Sequence, residues 1–293
     1  MSGLQQAVAS ALSHAFGDAV QIHAYRPLGG GSINRTEIIE TTAGTFVLKS
    51  NRHAPPGMFQ AEADGLATLR SSGTSLVIPQ VVAVHDAAPA FLVLEYLDAG
   101  ARVGDFDERL GRGLAELHRS TNARFGFRRD NYCGATTQPN SWTERWVDFY
   151  AASRLGHQAR LASDAGRLDV AERAAIDRFI NRLGDWIDEP ANGPSLIHGD
   201  LWSGNLHGDT GGRPAIIDPA AYFAHREAEL GMMTLFGGFS PRVFDAYHET
   251  LPLEPGWRDR NALYRLYHVM NHLNLFGGEY HADVMAIVRR YVS

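Results

Sequence analysis

Several scarcities narrow the field before any motif is considered. One cysteine, Cys133, occurs in 293 residues. An intrachain disulfide is therefore excluded, and the thiol lies in a Gly/Asn/Tyr-rich stretch with no partner motif nearby, which reads as structural or incidental. No run of about 18 apolar residues is present, so no segment reads as a membrane-spanning helix. Long basic blocks are missing too, and the net charge is −6, which argues against a nucleic-acid or anionic-membrane surface. The opening residues, Met1-Ser2-Gly3-Leu4-Gln5-Gln6, lack the basic and apolar regions of a secretion signal, and a cytoplasmic location is expected. Internal repeats and low-complexity tracts are lacking. What is present is an ordinary globular composition, 44% hydrophobic and 20% charged, in a chain long enough for a large core and two lobes.

The most informative stretch is Leu196-Ile197-His198-Gly199-Asp200-Leu201-Trp202-Ser203-Gly204-Asn205, followed by Ile216-Ile217-Asp218-Pro219. Each fragment alone is an ordinary turn or strand end, since Gly and Asp are common in turns. In order, they place Asp200, Asn205 and Asp218 behind two short apolar runs. Phosphoryl transfer from ATP needs such a set: one carboxylate for the proton of the attacking hydroxyl, and a carboxylate with an amide oxygen for Mg²⁺. Protein kinases space the Asp and Asn in this way and follow them with a strand ending in a metal-binding Asp. Asp200 is thus the candidate base, and Asn205 and Asp218 are the candidate metal ligands.

The upstream half supplies matching parts. Pro27 to Asn34 contains Gly29, Gly30 and Gly31, then Ser32, between a strand at Val20–Tyr25 and another at Arg35–Glu40. Consecutive glycines let backbone N–H groups approach phosphates. The pattern is neither a full Gly-x-Gly-x-x-Gly, because Asn34 replaces the last glycine, nor a Walker A loop; an ordinary hairpin remains the alternative. Thr45 to Lys49 reads as a third strand ending in the lysine that would meet the α- and β-phosphates. The segment Met58–Arg70 reads as a helix. Its Glu62 is the candidate partner of Lys49, while Asp64 projects about 200° away around a 3.6-residue turn. Phe91–Leu97 reads as a buried strand entering a linker, with adenine placed against Glu95, Tyr96 and Leu97.

The remaining periodicity predicts helices over residues 4–15, 105–120 and 170–188 and from about 227 onward, with strands at 81–85 and 91–97. A β-rich first third and a helical remainder predict an α+β fold with two lobes, residues 1–97 and 98–293, and the ligand in the cleft. His198 reads as a brace for the catalytic turn. Trp202 either packs substrate or fills its own loop. His268 and His272, four apart on a helix, have metal-pair spacing but no third ligand in the sequence, and core packing is the preferred reading.

At this point the chain resembles the fructosamine/ketosamine kinase family, a relative of aminoglycoside phosphotransferases and choline kinases. His198-Gly-Asp-x-x-x-x-Asn205 is shared across all of these. Leu201-Trp202-Ser203, Asp218-Pro219-Ala220, Arg226-Glu227-Ala228-Glu229-Leu230, Leu235-Phe236-Gly237-Gly238-Phe239 and Asn271-His272-Leu273-Asn274-Leu275-Phe276-Gly277 are narrower. The resemblance implies a protein-kinase-like fold and ATP- and Mg²⁺-dependent phosphorylation of a ketoamine hydroxyl, at the 3-position, with a link to deglycation. It leaves open the sugar, and whether the ketoamine is a small molecule or protein-bound. Leu48 stands before Lys49 where the family often reads Phe-Val-Lys, which puts one residue of uncertainty on the strand register. Two alternatives stay open: the same chemistry on an aminoglycoside, choline or similar alcohol, and a non-catalytic nucleotide-binding protein on a kinase fold.

Overall fold

The computed structural model describes residues 3–29 and 33–292; Gly30, Gly31 and Ser32 of the glycine-rich segment lie outside the described residues. Helix α1 (Gly3–Phe16) precedes strands β1 (Ile22–Pro27), β2 (Arg35–Thr41) and β3 (Gly44–Asn51). Helix α2 (Met58–Ser71) then leads to β4 (Val81–His85) and β5 (Ala90–Glu95). The strands form one five-stranded sheet in the order β1-β2-β3-β5-β4, and every adjacent pair is antiparallel.

Alternation along β3 explains how this sheet serves two environments. Phe46 and Leu48 turn to one face and join Val8, Leu12, Ile39 and Val93 in a core under α1. Successive side chains on a strand take opposite faces, so Lys49 turns the other way, toward α2. Leu48 is therefore a core residue of the outer face, and the register question raised by its position is settled in favour of Lys49 facing the cleft.

After β5 the chain becomes mainly helical. Helix α3 (Phe106–His118) buries Phe106, Leu110, Leu114 and Leu117, the face predicted from their spacing. Short strands β6 (Asn131–Cys133) and β7 (Thr136–Gln138) form a hairpin. Helices α4 (Trp146–Phe149) and α5 (His157–Asp164) flank a π-helical segment, Tyr150–Gly156. Helix α6 (Val170–Asn181) starts at a reciprocal Asp169–Glu172 capping box. It ends earlier than predicted: a 3₁₀ turn at Leu183–Asp185 replaces the last helical turns. Gly184 is a poor helix former, and the change of direction stacks Trp186 on Phe179 with ring centroids 5.3 Å apart.

Strands β8 (Ser195–Ile197), β9 (Leu206–Gly208), β10 (Pro214–Ile216) and β11 (Tyr222–Ala224) follow, pairing as β8 with β11 and β9 with β10. Helices α7 (Glu227–Leu235), α8 (Pro241–Thr250), α9 (Trp257–Phe276) and α10 (His281–Val292) complete the chain. A second core runs from Phe59 and Leu66 of α2 through α3 to Leu266 and Leu273 of α9. No helix among the described residues is long and apolar enough to cross a membrane.

Candidate active site

Lys49 is the chain's only lysine, and it is 5% exposed. Its Nζ lies 2.5 Å from Glu62 Oε1 and 2.6 Å from Asp218 Oδ1. Burial works against its charge, but Asp218 and then Glu62 outweigh that cost, and the amine is held above its ordinary pKa. Burial also lifts the Glu62 carboxyl, with Lys49 opposing. Asp64, the rival to Glu62, points elsewhere and pairs with Arg128 at 2.8 Å and Arg129 at 2.7 Å.

The turn holding Asp200 is fixed from several sides. β8 delivers His198, whose Nε2 lies 2.8 Å from the Ile217 carbonyl and whose Nδ1 lies 3.3 Å from the Asp200 N–H. It thus ties the two halves of the motif together. Gly199 has φ +83°, and a Cβ there would sit 2.2 Å from the Ala220 carbonyl oxygen, so both conformation and space demand glycine. On α7, Glu229 is fully buried. It accepts the backbone N–H of His198 at 2.5 Å and that of Gly199 at 3.1 Å. Asn205 ends a 3₁₀ turn, and its Nδ2 donates to the Asp200 carbonyl at 2.8 Å. Asp218 has φ +59°, a left-handed conformation that Asp tolerates better than most residues. Asp200 itself is half-buried. Burial, then the charges of Asp218 and Glu229, push its carboxyl well above the usual range.

These groups border one continuous cleft. At one end it is lined by Leu28, Gly29, Val47, Glu95, Tyr96 and Leu97. Lys49, Asn205 and Asp218 belong both to that end and to the middle, where Glu62 and Asp200 also face it. Beyond Asp200 and Trp202 the cleft opens among Phe236, His272, Phe276 and Tyr280. Every predicted site residue among the described residues therefore borders one cleft.

Trp202 is 37% exposed, and its ring also covers Gly204, where a Cβ would approach it to 2.2 Å. The indole rests on its own loop and also lines the cleft. Gly238 has φ +90° and would clash with Ser203 if it carried a Cβ. That close approach sets Phe236, 49% exposed, beside the loop of Asp200 and Trp202. Arg226 is buried and donates to the Leu251 and Pro252 carbonyls. Its guanidinium thus ties the start of α7 to the segment after α8.

Sequence reasoning missed the aromatic end of the cleft. Phe236, Phe276 and Tyr280 carry no chemistry-bearing motif, and the only signal was the sequence resemblance around them. His268 and His272 do not form a metal pair. The His272 Nδ1 is 2.7 Å from the His268 carbonyl oxygen, and its ring lies against Phe236, Phe276 and Tyr280.

A five-stranded antiparallel sheet over a helical body, with a Lys–Glu pair facing an Asp/Asn/Asp set across the cleft, defines the protein-kinase-like class of phosphotransferases. Aminoglycoside phosphotransferase APH(4)-Ia shares this fold, with a TM-score of 0.61 at 17% identity, covering 97% of this chain and 98% of that one. Within the class, the chain belongs to the fructosamine kinase family, whose sequence model matches residues 4–293. It is similar to the chloroplastic protein-ribulosamine 3-kinase of Oryza sativa subsp. indica, at 38% identity over 282 residues, 94% of this chain and 81% of the relative. It is also similar to the crystal structure of a candidate fructosamine-3-kinase from Thermobifida fusca. There the TM-score is 0.86 at 32% identity, covering 96% of this chain and 97% of that chain.

Proposed function

We propose that the chain transfers the terminal phosphate of ATP to a hydroxyl of a sugar-derived ketoamine, at the 3-position, with residues 1–97 and 98–293 acting as the two lobes around the cleft. The observation that carries this reading is the order of groups along the cleft: an apolar end at Glu95–Leu97, then Lys49 and Asp218, then Asp200, then an aromatic mouth. Donor, charge-neutralising groups, base and acceptor would follow one another in that order.

In this reading the backbone at Glu95 to Leu97 receives adenine. The segment Gly29, Gly30, Gly31 and Ser32 covers the phosphates. Lys49 neutralises phosphate charge, and Glu62 orients the amine. Asp200 takes the proton of the attacking hydroxyl. Its raised pKa makes it a stronger base than a free aspartate, whose pKa is about 3.9. Asn205 and Asp218 offer an amide and a carboxylate oxygen on adjacent turns, the hard donors that Mg²⁺ takes; when bound, Mg²⁺ would neutralise charge on the phosphates. The transition state of phosphoryl transfer is loose, so positioning carries much of the rate.

The deciding experiment is Mg²⁺-dependent ADP release with ribuloselysine, fructoselysine, choline and an aminoglycoside compared side by side. Turnover on either ketoamine supports the reading and begins to rank the sugars. Turnover confined to choline or the aminoglycoside keeps the fold and the base but overturns the acceptor.

Two further outcomes follow. Trp202→Ala should raise KM for the ketoamine by about tenfold, a loss of roughly 1.4 kcal/mol of stacking, with KM for ATP unchanged; an equal rise in both would place Trp202 in the loop's own packing. The rate should also fall as pH drops through the pKa of Asp200, because the base must be deprotonated. Burial, the largest cause of its shift, persists whatever occupies Asp218. The acid limb of kcat/KM should therefore lie above the ordinary carboxylate value of about 3.9 and be missing from the residual activity of Asp200→Asn. A limb at or below that value would contradict the assignment.

A further inference from the structure

We propose that Cys133, Asp200 and His268 form a binding site for one borderline divalent cation of the Zn²⁺ class, and that its occupancy switches the enzyme off by tying up the Asp200 carboxylate. The Cys133 sulfur, a ring nitrogen of His268 and a carboxylate oxygen of Asp200 lie within 4.8 Å of one another. The three come from separate parts of the chain: the β6–β7 hairpin, the turn after β8, and the middle of α9. Their convergence is therefore a product of the fold, and no spacing in the sequence announces it.

The donor set selects the metal. One thiolate, one imidazole and one carboxylate is a Zn²⁺ set, with three protein ligands and an open fourth position. Mg²⁺ prefers an octahedron of oxygens and has no use for sulfur, so the site is chemically distinct from the Asn205–Asp218 pair. Bond lengths of about 2.0–2.3 Å put ligand atoms roughly 3.3–3.8 Å apart in a tetrahedron. Side-chain movements of about 1 Å would close the present arrangement. With the thiol proton released to solvent, thiolate and carboxylate together balance the two positive charges, so the occupied site is neutral in a buried setting.

One feature marks the site as unfinished without a ligand, and a second gives a cation access to it. His268 is 3% exposed, and its Nδ1 is buried with no hydrogen-bond partner among the described residues. A buried nitrogen left unpaired costs free energy that a ligand or a neighbouring donor normally relieves. Cys133 is likewise buried at 3% exposure, yet it lines the same opening of the cleft as Asp200 and Trp202, which gives a cation a route in. Burial and then the Asp200 charge push the Cys133 thiol well above its ordinary value, with Tyr267, Arg154 and Asn271 opposing, so a bound cation must displace the thiol proton and its affinity should rise with pH.

Only the inhibitory consequence rests on Asp200 being the base; the binding claim stands apart from the proposed acceptor. The test uses the full-length protein freed of metal, with Zn²⁺ measured by equilibrium dialysis in excess Mg²⁺ and Co²⁺ as the spectroscopic probe. One Zn²⁺ should bind per chain and raise Tm. Co²⁺ should produce a thiolate-to-metal charge-transfer band. Cys133→Ser and His268→Gln should each weaken Zn²⁺ binding by at least about tenfold and abolish the Zn²⁺-dependent rise in Tm. The metal-free Tm of each variant reports whether it is folded. With ATP and any productive acceptor, Zn²⁺ should inhibit wild type at concentrations that leave both variants active. Lack of stoichiometric binding, lack of the charge-transfer band, or unchanged affinity in either variant would overturn the proposal. Failure of the ketoamine assay alone would leave the dialysis, the spectrum and the Tm shift to decide it.

Discussion

Asp200→Asn is expected to lower kcat by about 10²–10⁴-fold, the usual contribution of a positioned general base, while Mg²⁺-dependent nucleotide affinity stays near wild type. Asp218→Asn is expected to do the reverse first: nucleotide should bind no better with Mg²⁺ than without it, and turnover should vanish with it. The contrast follows from where the two carboxylates stand. Asp218 lies 2.6 Å from Lys49 and borders the end of the cleft lined by Glu95, Tyr96 and Leu97. Asp200 borders the aromatic end instead, next to Trp202. Amide substitution keeps the shape at each position, so loss of fold does not confuse the result. At Asp218 the Lys49–Glu62 pair survives the change, with its 2.5 Å contact independent of Asp218. Isothermal titration with a non-hydrolysable ATP analogue, with and without Mg²⁺, measures the first quantity, and ADP release measures the second. A fully active Asp200→Asn enzyme would remove the base assignment, and an Asp218→Asn enzyme that still bound nucleotide in a Mg²⁺-dependent way would move the metal site elsewhere.

How much of this was visible beforehand depended on whether a residue's role is local. Strand β3 could be read because Phe46 and Leu48 keep a period of two with Lys49 on the opposite face, and α3 because Phe106, Leu110, Leu114 and Leu117 obey a period near four. Helix geometry set Glu62 and Asp64 on different sides of α2, and the two side chains do diverge. Strands β8 to β11 are three residues each, too short to show any period, although they hold the Asp200 turn. The end of α6 was misplaced because the apolar spacing continues through Leu183 and Ile187, both buried, while the backbone leaves the α-helix after Asn181. Cys133 gave no warning of its neighbours because its meeting with Asp200 and His268 depends on tertiary packing. So does the anchoring by Glu229, which sequence reading met only as part of a resembling segment.

Glu229 carries the second large expectation. Glu229→Ala should cost stability and also slow the enzyme by about a hundredfold, although its side chain reaches no substrate. The residue is fully buried and takes two backbone N–H groups, at His198 and Gly199, two residues and one residue before Asp200. Truncation strands both donors in an interior site, and each unsatisfied group costs about 1–3 kcal/mol. The turn then has reason to rotate away from the position that Gly199's left-handed backbone and the Ala220 contact define. Misplacing a base by about 1 Å is enough for a loss of that size. A purely structural role and a positioning role differ in one readout. If Glu229 acts by placing Asp200, adding Glu229→Ala to Asp200→Asn should lower kcat little further, because the group being placed is already gone. If it acts on the fold at large, the two losses should multiply. Chemical unfolding of the single variant gives the stability term separately, and Glu229→Gln, which keeps one acceptor oxygen, should recover part of both.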